Sequence, residues 1–185
     1  MRLKKSDPFR LFNEEEGEWR IQEEIKECVR PFKPSPPLWL AFSPLAKPDR
    51  MRFLIEKATE MGVTTFIPLK TRYTQGHFDS KKALAWAIEA SEQCERMDIP
   101  LFGDMCGIHD LLSMNVSWAL ALERSSHVSA ISHANGLIVG PEGGFSNEEK
   151  ESLKDISSLT LGPRILRSET AVVAGLAIVN KHLSS

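Results

Sequence analysis

The chain has 185 residues, of which 42% are hydrophobic and 26% are charged, and its formal net charge at pH 7 is −2. These values are typical of a globular protein with one good-sized domain, or with one domain and a small appendage. No apolar run approaches the roughly 20 residues that a membrane-spanning helix needs, so we expect no membrane contact. The slightly negative net charge argues weakly against a protein that coats nucleic acid, although such binding depends on a local basic patch rather than on the net charge.

Cysteine and histidine usage points to a reducing compartment and to no metal centre. The cysteines Cys28, Cys94 and Cys106 form no C-x-x-C pair, and the basic residues 1–8 are not followed by the apolar segment of a signal peptide. We therefore expect a cytoplasmic protein with structural thiols. No metal-ligand spacing occurs, and the histidines do not cluster along the chain; they are His77, His109, His127, His133 and His182.

The first part of the chain predicts a small β-rich segment. Residues 9–12, 19–22 and 25–29 have the composition of short strands, and a polar turn follows the first of them. So few short strands cannot close a barrel or bury much surface alone. Residues 31–37 hold four prolines, which predicts a stiff linker.

From residue 38 onwards, apolar strand patterns alternate with helical patterns. This alternation predicts a parallel sheet with helices on both faces, connected by right-handed crossovers. The predicted strands are 38–42, 63–69, 99–102, 118–122, 137–139 and 159–161, and the predicted helices are 50–61, 81–97 and 147–154. Helix 50–61 places Met51, Leu54, Ile55, Ala58 and Met61 on one face. The pattern of helix 81–97 predicts that its core-facing residues are Leu84, Trp86 or Ala87, Ile88, Ser91 and Cys94.

The last helix has an unusual composition. Residues 171–179 contain no polar side chain, and a helix that is apolar all round is buried all round. Ala174 and Gly175 permit a close approach by a neighbouring element. We therefore expect this helix to enter the fold or to be covered by a second subunit in a homodimer. Ser168 is a suitable N-cap for it.

Two glycine-containing segments predict the functional site. Residues 140–146 read Gly-Pro-Glu-Gly-Gly-Phe-Ser, and residues 161–171 read Leu-Gly-Pro-Arg-Ile-Leu-Arg-Ser-Glu-Thr-Ala. Each follows an apolar run and precedes a helical pattern, so each predicts a strand-to-helix loop whose main chain can meet a ligand. Neither segment has the pattern of a P-loop, a dinucleotide fingerprint or a nucleophile elbow. Arg164, Arg167 and Glu169 lie in a segment that we expect to be buried, where charges must be paired or bound to a ligand.

These two segments together closely resemble the RsmE family of 16S ribosomal RNA uridine-N3 methyltransferases, which belong to the SPOUT superfamily. Two further stretches agree with the resemblance: residues 49–63, which contain Lys-Ala-Thr-Glu-Met-Gly-Val, and residues 92–96, which read Glu-Gln-Cys-Glu-Arg. The similarity runs from about residue 38 to the C-terminus and is weaker in the N-terminal strands.

The resemblance implies a deep trefoil knot, with the last helix passed through a loop, and an obligate dimer with its site at the interface. It implies S-adenosylmethionine as the methyl donor and 16S ribosomal RNA of the small ribosomal subunit as the partner. Cofactor binding is then expected at Gly140, Glu142, Gly143, Gly144, Leu161, Gly162, Ile165, Leu166 and Ala171. Arg164, Arg167 and Glu169 match charged family positions and are the candidate catalytic residues.

Arg72 and Arg96 also match charged family positions and are the candidate RNA-binding residues. For all four arginines the alternative is a purely structural ion pair, with Glu142 or Glu169 as the partner for Arg164 and Arg167. A guanidinium near O2 or O4 of the uracil would stabilise the deprotonated ring. The group that accepts the N3 proton is not assigned, and the candidates are Glu169, Glu142 and water.

Two departures from the family pattern concern the front of the chain. Family members usually begin with a complete PUA-like β-barrel, whereas here only residues 1–36 precede the methyltransferase domain of 37–185, and the usual opening segment is missing. We therefore expect a short, incomplete PUA-like segment. The alternatives are a SPOUT methyltransferase of other specificity, acting on a ribose 2′-OH or a tRNA base, and a cofactor- or RNA-binding protein without turnover.

Overall fold

The computed structural model describes residues 9–22, 25–122 and 133–183, so residues 1–8 and His127 lie outside the described residues. Two sheets and five helices make up this part of the chain. The elements are β1 (Phe9–Asn13), β2 (Gly17–Gln22), β3 (Ile25–Arg30), β4 (Trp39–Phe42), α1 (Pro48–Glu60), β5 (Thr65–Pro68), α2 (Ser80–Gln93), β6 (Leu101–Phe102), α3 (Ile108–Leu112), β7 (Trp118–Leu122), β8 (Gly136–Val139), α4 (Asn147–Ser152), β9 (Ser157–Thr160) and α5 (Ser168–Leu183).

The main sheet has six strands in the order β6-β5-β4-β8-β7-β9, and all its described pairings are parallel. Successive residues of β4 serve opposite faces: Leu40 and Phe42 pack with α1, α2 and α5, whereas Ala41 packs with the α3 and α4 side. The predicted parallel sheet with helices on both faces is therefore confirmed. The order also places the ends of β4 and β8 side by side at the centre of the sheet.

Helix α5 buries one face and leaves part of the other uncovered by this chain. Val172, Leu176 and Val179 are fully buried, while Ala177 is exposed. At Gly175 a Cβ atom would lie 2.8 Å from Leu137 Cδ2, so glycine permits the close approach to β8. The expectation of burial on all sides is thus met only in part within one chain.

The predicted N-cap of this helix is wrong. α5 begins at Ser168 itself, and the Ser168 hydroxyl lies 3.5 Å from the Gly140 carbonyl oxygen instead of capping the first turn. Ser168 therefore links the helix start to the first glycine segment.

Helices α2 and α3 differ from the prediction. In α2 the buried residues are Ala83, Ala87, Ala90 and Ser91, so Ala87 and Ser91 are buried as predicted, whereas Leu84 is 41% exposed and Cys94 is exposed. Trp86 is partly buried and packs against the core, and small residues let α2 lie close to its neighbours. The helix ends at Gln93 because Glu95 adopts a left-handed conformation with φ 55°. The short helix α3 was not predicted, because five residues are too few for a helical period.

The N-terminal strands form a separate antiparallel sheet in the order β1-β2-β3. Its buried charge is Glu18, which accepts hydrogen bonds from Arg10 at 2.8 Å and Arg30 at 3.1 Å. Arg30 also donates to the Glu95 carbonyl oxygen at 2.8 Å, which ties this sheet to the main one. Every residue of β3 is exposed.

Within the described residues, no helix is long and apolar enough to cross a bilayer, and no group of metal-ligating side chains comes together.

Candidate functional site

The carboxyl ends of β4, β5, β8 and β9 lie along one edge of the main sheet because the strands are parallel. The loops that follow these strands surround two neighbouring cavities. Both cavities are lined by Pro141 and Glu142, so they adjoin at the first glycine segment. Ligands of open α/β sheets bind at this edge.

The first cavity has a volume of about 250 Å³, near the lower end of the range for small-molecule sites. It brings together the two glycine segments, which are about 20 residues apart in the chain. Of the residues predicted to bind a cofactor, it is lined by Gly140, Glu142, Gly144, Leu161, Gly162, Leu166 and Ala171. Gly143 and Ile165 do not line it. The remaining lining is Ala121, Leu122, Val139, Pro141, Phe145, Lys150, Arg164 and Ser168.

The glycines of this cavity serve different purposes. Gly144 and Gly162 have φ values of +71° and +101°, which L side chains rarely adopt. At Gly140 the conformation is ordinary, but a Cβ atom would lie 2.6 Å from the Phe145 ring. The glycines thus expose main-chain N–H and C=O groups between apolar side chains, an arrangement that suits the recognition of a flat heterocycle.

Arg50, near the start of α1, joins the two glycine segments. Its Nε donates to Glu169 Oε1 at 2.8 Å, and its Nη2 donates to Glu169 Oε2 and to Glu142 Oε1, both at 2.5 Å. Glu169 is 8% exposed, so this bidentate pair compensates a buried carboxylate. Hydrogen bonding from Arg50 holds the pKa of Glu169 below its ordinary value, and the hydrogen bonds to Glu169 and Glu142 raise the pKa of Arg50.

The expected burial of Arg164 and Arg167 is wrong, because both are exposed. Only Glu169 of the three charged residues is buried, and its partner is Arg50 rather than either of these arginines. Sequence reasoning assigned no role to Arg50. The available signal was its position, since Arg50 follows Pro48 and Asp49 at a helix start just beyond the carboxyl end of β4.

Arg72 and Arg96 occupy contrasting positions. The Arg72 residue is exposed, and its main-chain N–H donates to Glu149 Oε1 at 2.7 Å. The Arg96 side chain is only 9% exposed. It donates to the Thr59 and Val63 carbonyl oxygens at 2.8 and 2.9 Å and to the Asp98 carboxylate at 2.7 Å. This geometry favours the structural alternative for Arg96.

The second cavity, of about 160 Å³, lies next to the first at Pro141 and Glu142. It is formed by the loops after β4, β5 and β8 and by the start of α1. Its lining residues are Pro44, Leu45, Ala46, Lys47, Arg50, Tyr73, Gln75, Pro141, Glu142 and Gly143. Gly143 therefore belongs to this cavity rather than to the first.

The pair between Arg50 and Glu169 predicts an acid-dependent loss of stability. Because the pKa of Glu169 is lower in the folded state, its contribution is complete above its unfolded value of about 4.3 and is lost as the pH falls through the folded value. We expect Glu169→Gln to lower the free energy of unfolding by about 1–3 kcal/mol at pH 7. The difference from the wild type should shrink below about pH 4.3.

Urea unfolding between pH 7 and pH 3 measures this difference. Glu148→Gln, a change at an exposed glutamate of α4, is the matched control and should stay within about 0.5 kcal/mol of the wild type throughout. Parallel curves for the wild type and Glu169→Gln would contradict the assigned ion pair.

Comparison with known proteins identifies the family. The model of the RNA methyltransferase domain matches residues 33–180. The chain is 34% identical to ribosomal RNA small subunit methyltransferase E of Rickettsia conorii over 97% of its length and 82% of that protein. It is 33% identical to the Bacillus subtilis protein of the same name, over 75% of this chain and 63% of that protein.

A solved structure of a methyltransferase is also similar to this chain. A Legionella pneumophila methyltransferase in complex with S-adenosylmethionine superposes with a TM-score of 0.79 at 26% identity, covering 97% of this chain and 84% of that one. The parallel sheet, the paired glycine segments and these matches lead to one assignment: the chain belongs to the RNA methyltransferase domain family.

Proposed function

We propose that this protein transfers a methyl group from S-adenosylmethionine to N3 of a uridine in 16S ribosomal RNA of the small ribosomal subunit. The observation that carries the proposal is the first cavity, in which two sequence-distant glycine segments meet at the carboxyl edge of a parallel sheet. The names of the Rickettsia and Bacillus relatives support the ribosomal substrate. Ribosomal subunits are assembled in the cytoplasm of bacteria, and we place the protein there.

The lining of the first cavity fits S-adenosylmethionine. Its apolar side chains, among them Leu161 and Leu166, can hold the adenosine portion, and the main chain around Gly140 and Gly162 offers the hydrogen bonds. The bound cofactor supplies an already activated methyl group on a sulfonium. The protein therefore needs mainly to position the two reactants and to stabilise the charge that develops on the base.

The charged residues divide into two groups in this proposal. We assign exposed Arg164, Arg167 and Arg72 to contacts with RNA phosphates. Glu169 is a weak base because Arg50 lowers its pKa, so its role is to hold Arg50 in place. In this proposal Arg96 has a structural role and does not contact RNA.

Turnover on ribosomal particles tests the proposed reaction. Small ribosomal subunits that lack the mark, incubated with the protein and labelled S-adenosylmethionine, should gain N3-methyluridine in 16S RNA. Nuclease digestion and mass spectrometry of the nucleosides identify the product. A 2′-O-methylated nucleoside would indicate another SPOUT specificity, and tight cofactor binding without any product would indicate a non-catalytic homologue.

Gly162 offers a direct test of the cofactor site, with Gly62 as its matched control. Both glycines have positive φ, +101° and +90°, and a Cβ atom meets nothing within 4 Å at either one. Alanine at either position should therefore lower the free energy of unfolding by a similar amount, about 1–2 kcal/mol. Only Gly162 lines the first cavity.

We expect Gly162→Ala to weaken S-adenosylmethionine binding at least tenfold, because its methyl group separates the ligand from the main chain, and Gly62→Ala to leave binding unchanged. Isothermal titration calorimetry measures both affinities. Equal affinities in the two variants would place the cofactor elsewhere.

Finer features of the architecture belong to this proposal as well. We take residues 1–36 as a PUA-like segment and residues 37–185 as a SPOUT domain in which α5 passes through a loop to complete a trefoil knot. The contacts of α5 support this path, because it follows edge strand β9 but packs against central β8 and α1. Tracing residues 160–183 in an electron-density map decides whether the knot is present.

A homodimer completes the proposal. The outward side of α5 carries exposed Ala177 and half-buried Val173 and Ala174, an apolar strip that a second copy can cover. We expect Ala177→Glu to shift the protein towards monomer at micromolar concentration, because a carboxylate would be buried in the contact. Sedimentation equilibrium measures the shift, and Ala85→Glu, at an exposed alanine of α2, is the control. A wild-type monomer at this concentration would contradict the dimer.

A further inference from the structure

The second cavity adjoins the first at the first glycine segment. Pro141 and Glu142 line both cavities, so ligands in the two sites would meet beside these two residues. We propose that the second cavity receives the acceptor base, a pyrimidine turned out of the RNA, and that this base stacks on Tyr73. The inference rests on the proposed methyl transfer and deepens it by assigning the acceptor site.

Tyr73 is the only tyrosine of the chain and is 46% exposed. It packs against Gly143: a Cβ atom at Gly143 would lie 3.0 Å from Tyr73 Cβ and 3.3 Å from its Cγ. The absence of a side chain at position 143 therefore allows the aromatic residue to sit against the glycine segment. This gives Gly143 a purpose other than cofactor binding.

The loop that carries Tyr73 is held in place from several sides. The Thr74 hydroxyl accepts a hydrogen bond from the Thr71 N–H at 2.8 Å and lies 2.9 Å from the Ser43 hydroxyl. Gly76 N–H donates to the Pro44 carbonyl oxygen at 3.2 Å. With the bond from Arg72 N–H to Glu149, these contacts fix the main chain of the loop that carries the exposed aromatic ring before any ligand binds. Such pre-organisation lowers the entropic cost of binding.

The second cavity, of about 160 Å³, is smaller than the first, of about 250 Å³, and its lining includes the Tyr73 ring beside the charged side chains of Lys47, Arg50 and Glu142. Proteins recognise unpaired RNA bases by stacking them on aromatic side chains, and enzymes that modify a base take it out of the stack.

The polar lining matches the charge that the reaction produces. Arg50 uses Nε and Nη2 for the two glutamates, and its Nη1 makes no hydrogen bond to any residue in the described part of the chain. Nη1 can therefore donate to O2 or O4 of the base. When the N3 proton leaves to solvent, the negative charge spreads to these oxygens. The N3–C bond then forms as the C–S bond of the donor breaks, and the electron pair of that bond stays on sulfur.

Substitution of Tyr73 tests the acceptor site. We expect Tyr73→Ala to lower kcat/KM for small ribosomal subunits about 10- to 100-fold, because a stacking platform is lost. Affinity for these particles in the presence of S-adenosylhomocysteine should fall as well, whereas the affinity for S-adenosylmethionine alone should stay within about twofold. Tyr73→Phe keeps the ring and should restore most of the kcat/KM and particle affinity.

Phe53→Ala is the matched control, because Phe53 is 44% exposed on α1 and does not line either cavity. It should behave as the wild type in all three measurements. Thermal melts of the variants confirm that each is folded.

The outcomes separate this inference from the proposed function. A wild type that methylates small subunits, with Tyr73→Ala equal to Phe53→Ala, would overturn the acceptor site alone. Loss of S-adenosylmethionine affinity in Tyr73→Ala would overturn it too, since the second cavity would then belong to the cofactor. A wild type without turnover on these particles would overturn the proposed function and the acceptor site with it.

Discussion

The bridge from Arg50 to Glu169 and Glu142 is the constraint on which the geometry of the site depends. It joins the start of α1 to Glu169 and Glu142, which lie 119 and 92 positions further along the chain. Glu169 is buried and lies in the first turn of α5, where a carboxylate is favoured by the helix dipole but needs a cation close by. One guanidinium therefore sets the start of α5 relative to the first glycine segment. Because Arg50 and Glu142 both line the second cavity, and Glu142 also lines the first, the same bridge shapes the region where the two cavities adjoin.

The glycines of the segment 140–146 illustrate how one short motif satisfies several physical demands. Gly140 makes room for the Phe145 ring, Gly143 makes room for Tyr73, and Gly144 supplies a left-handed backbone. Glu149 extends the arrangement, since it completes a capping box with Ser146 and also accepts a hydrogen bond from the loop of Tyr73. The loops at the edge of the sheet are therefore connected to one another, and we expect them to hold both reactants in fixed relative positions.

The arginines show how burial separates roles that sequence leaves equivalent. Arg72, Arg164 and Arg167 are exposed near the carboxyl edge of the sheet, and the phosphate contacts that we propose for them need this exposure. Arg96 has the same charge, but its donors face carbonyl oxygens and Asp98 inside the fold. In the N-terminal sheet, Arg30 pairs with buried Glu18 and also reaches the Glu95 carbonyl oxygen, so it serves the packing of that sheet on the main one.

The sequence by itself determined the parallel α/β architecture, the position of nearly every strand and the two glycine segments, because apolar periodicity and backbone restrictions are local properties. It also identified most residues that line the first cavity. It identified only part of the inward face of α2, and it did not identify Arg50 or the second cavity beside Tyr73. Arg50 and Glu169 meet only after the chain has returned to the centre of the sheet, and the α2 face depends on how closely small residues let the helix approach. Such contacts join distant segments, so only the tertiary structure decided them.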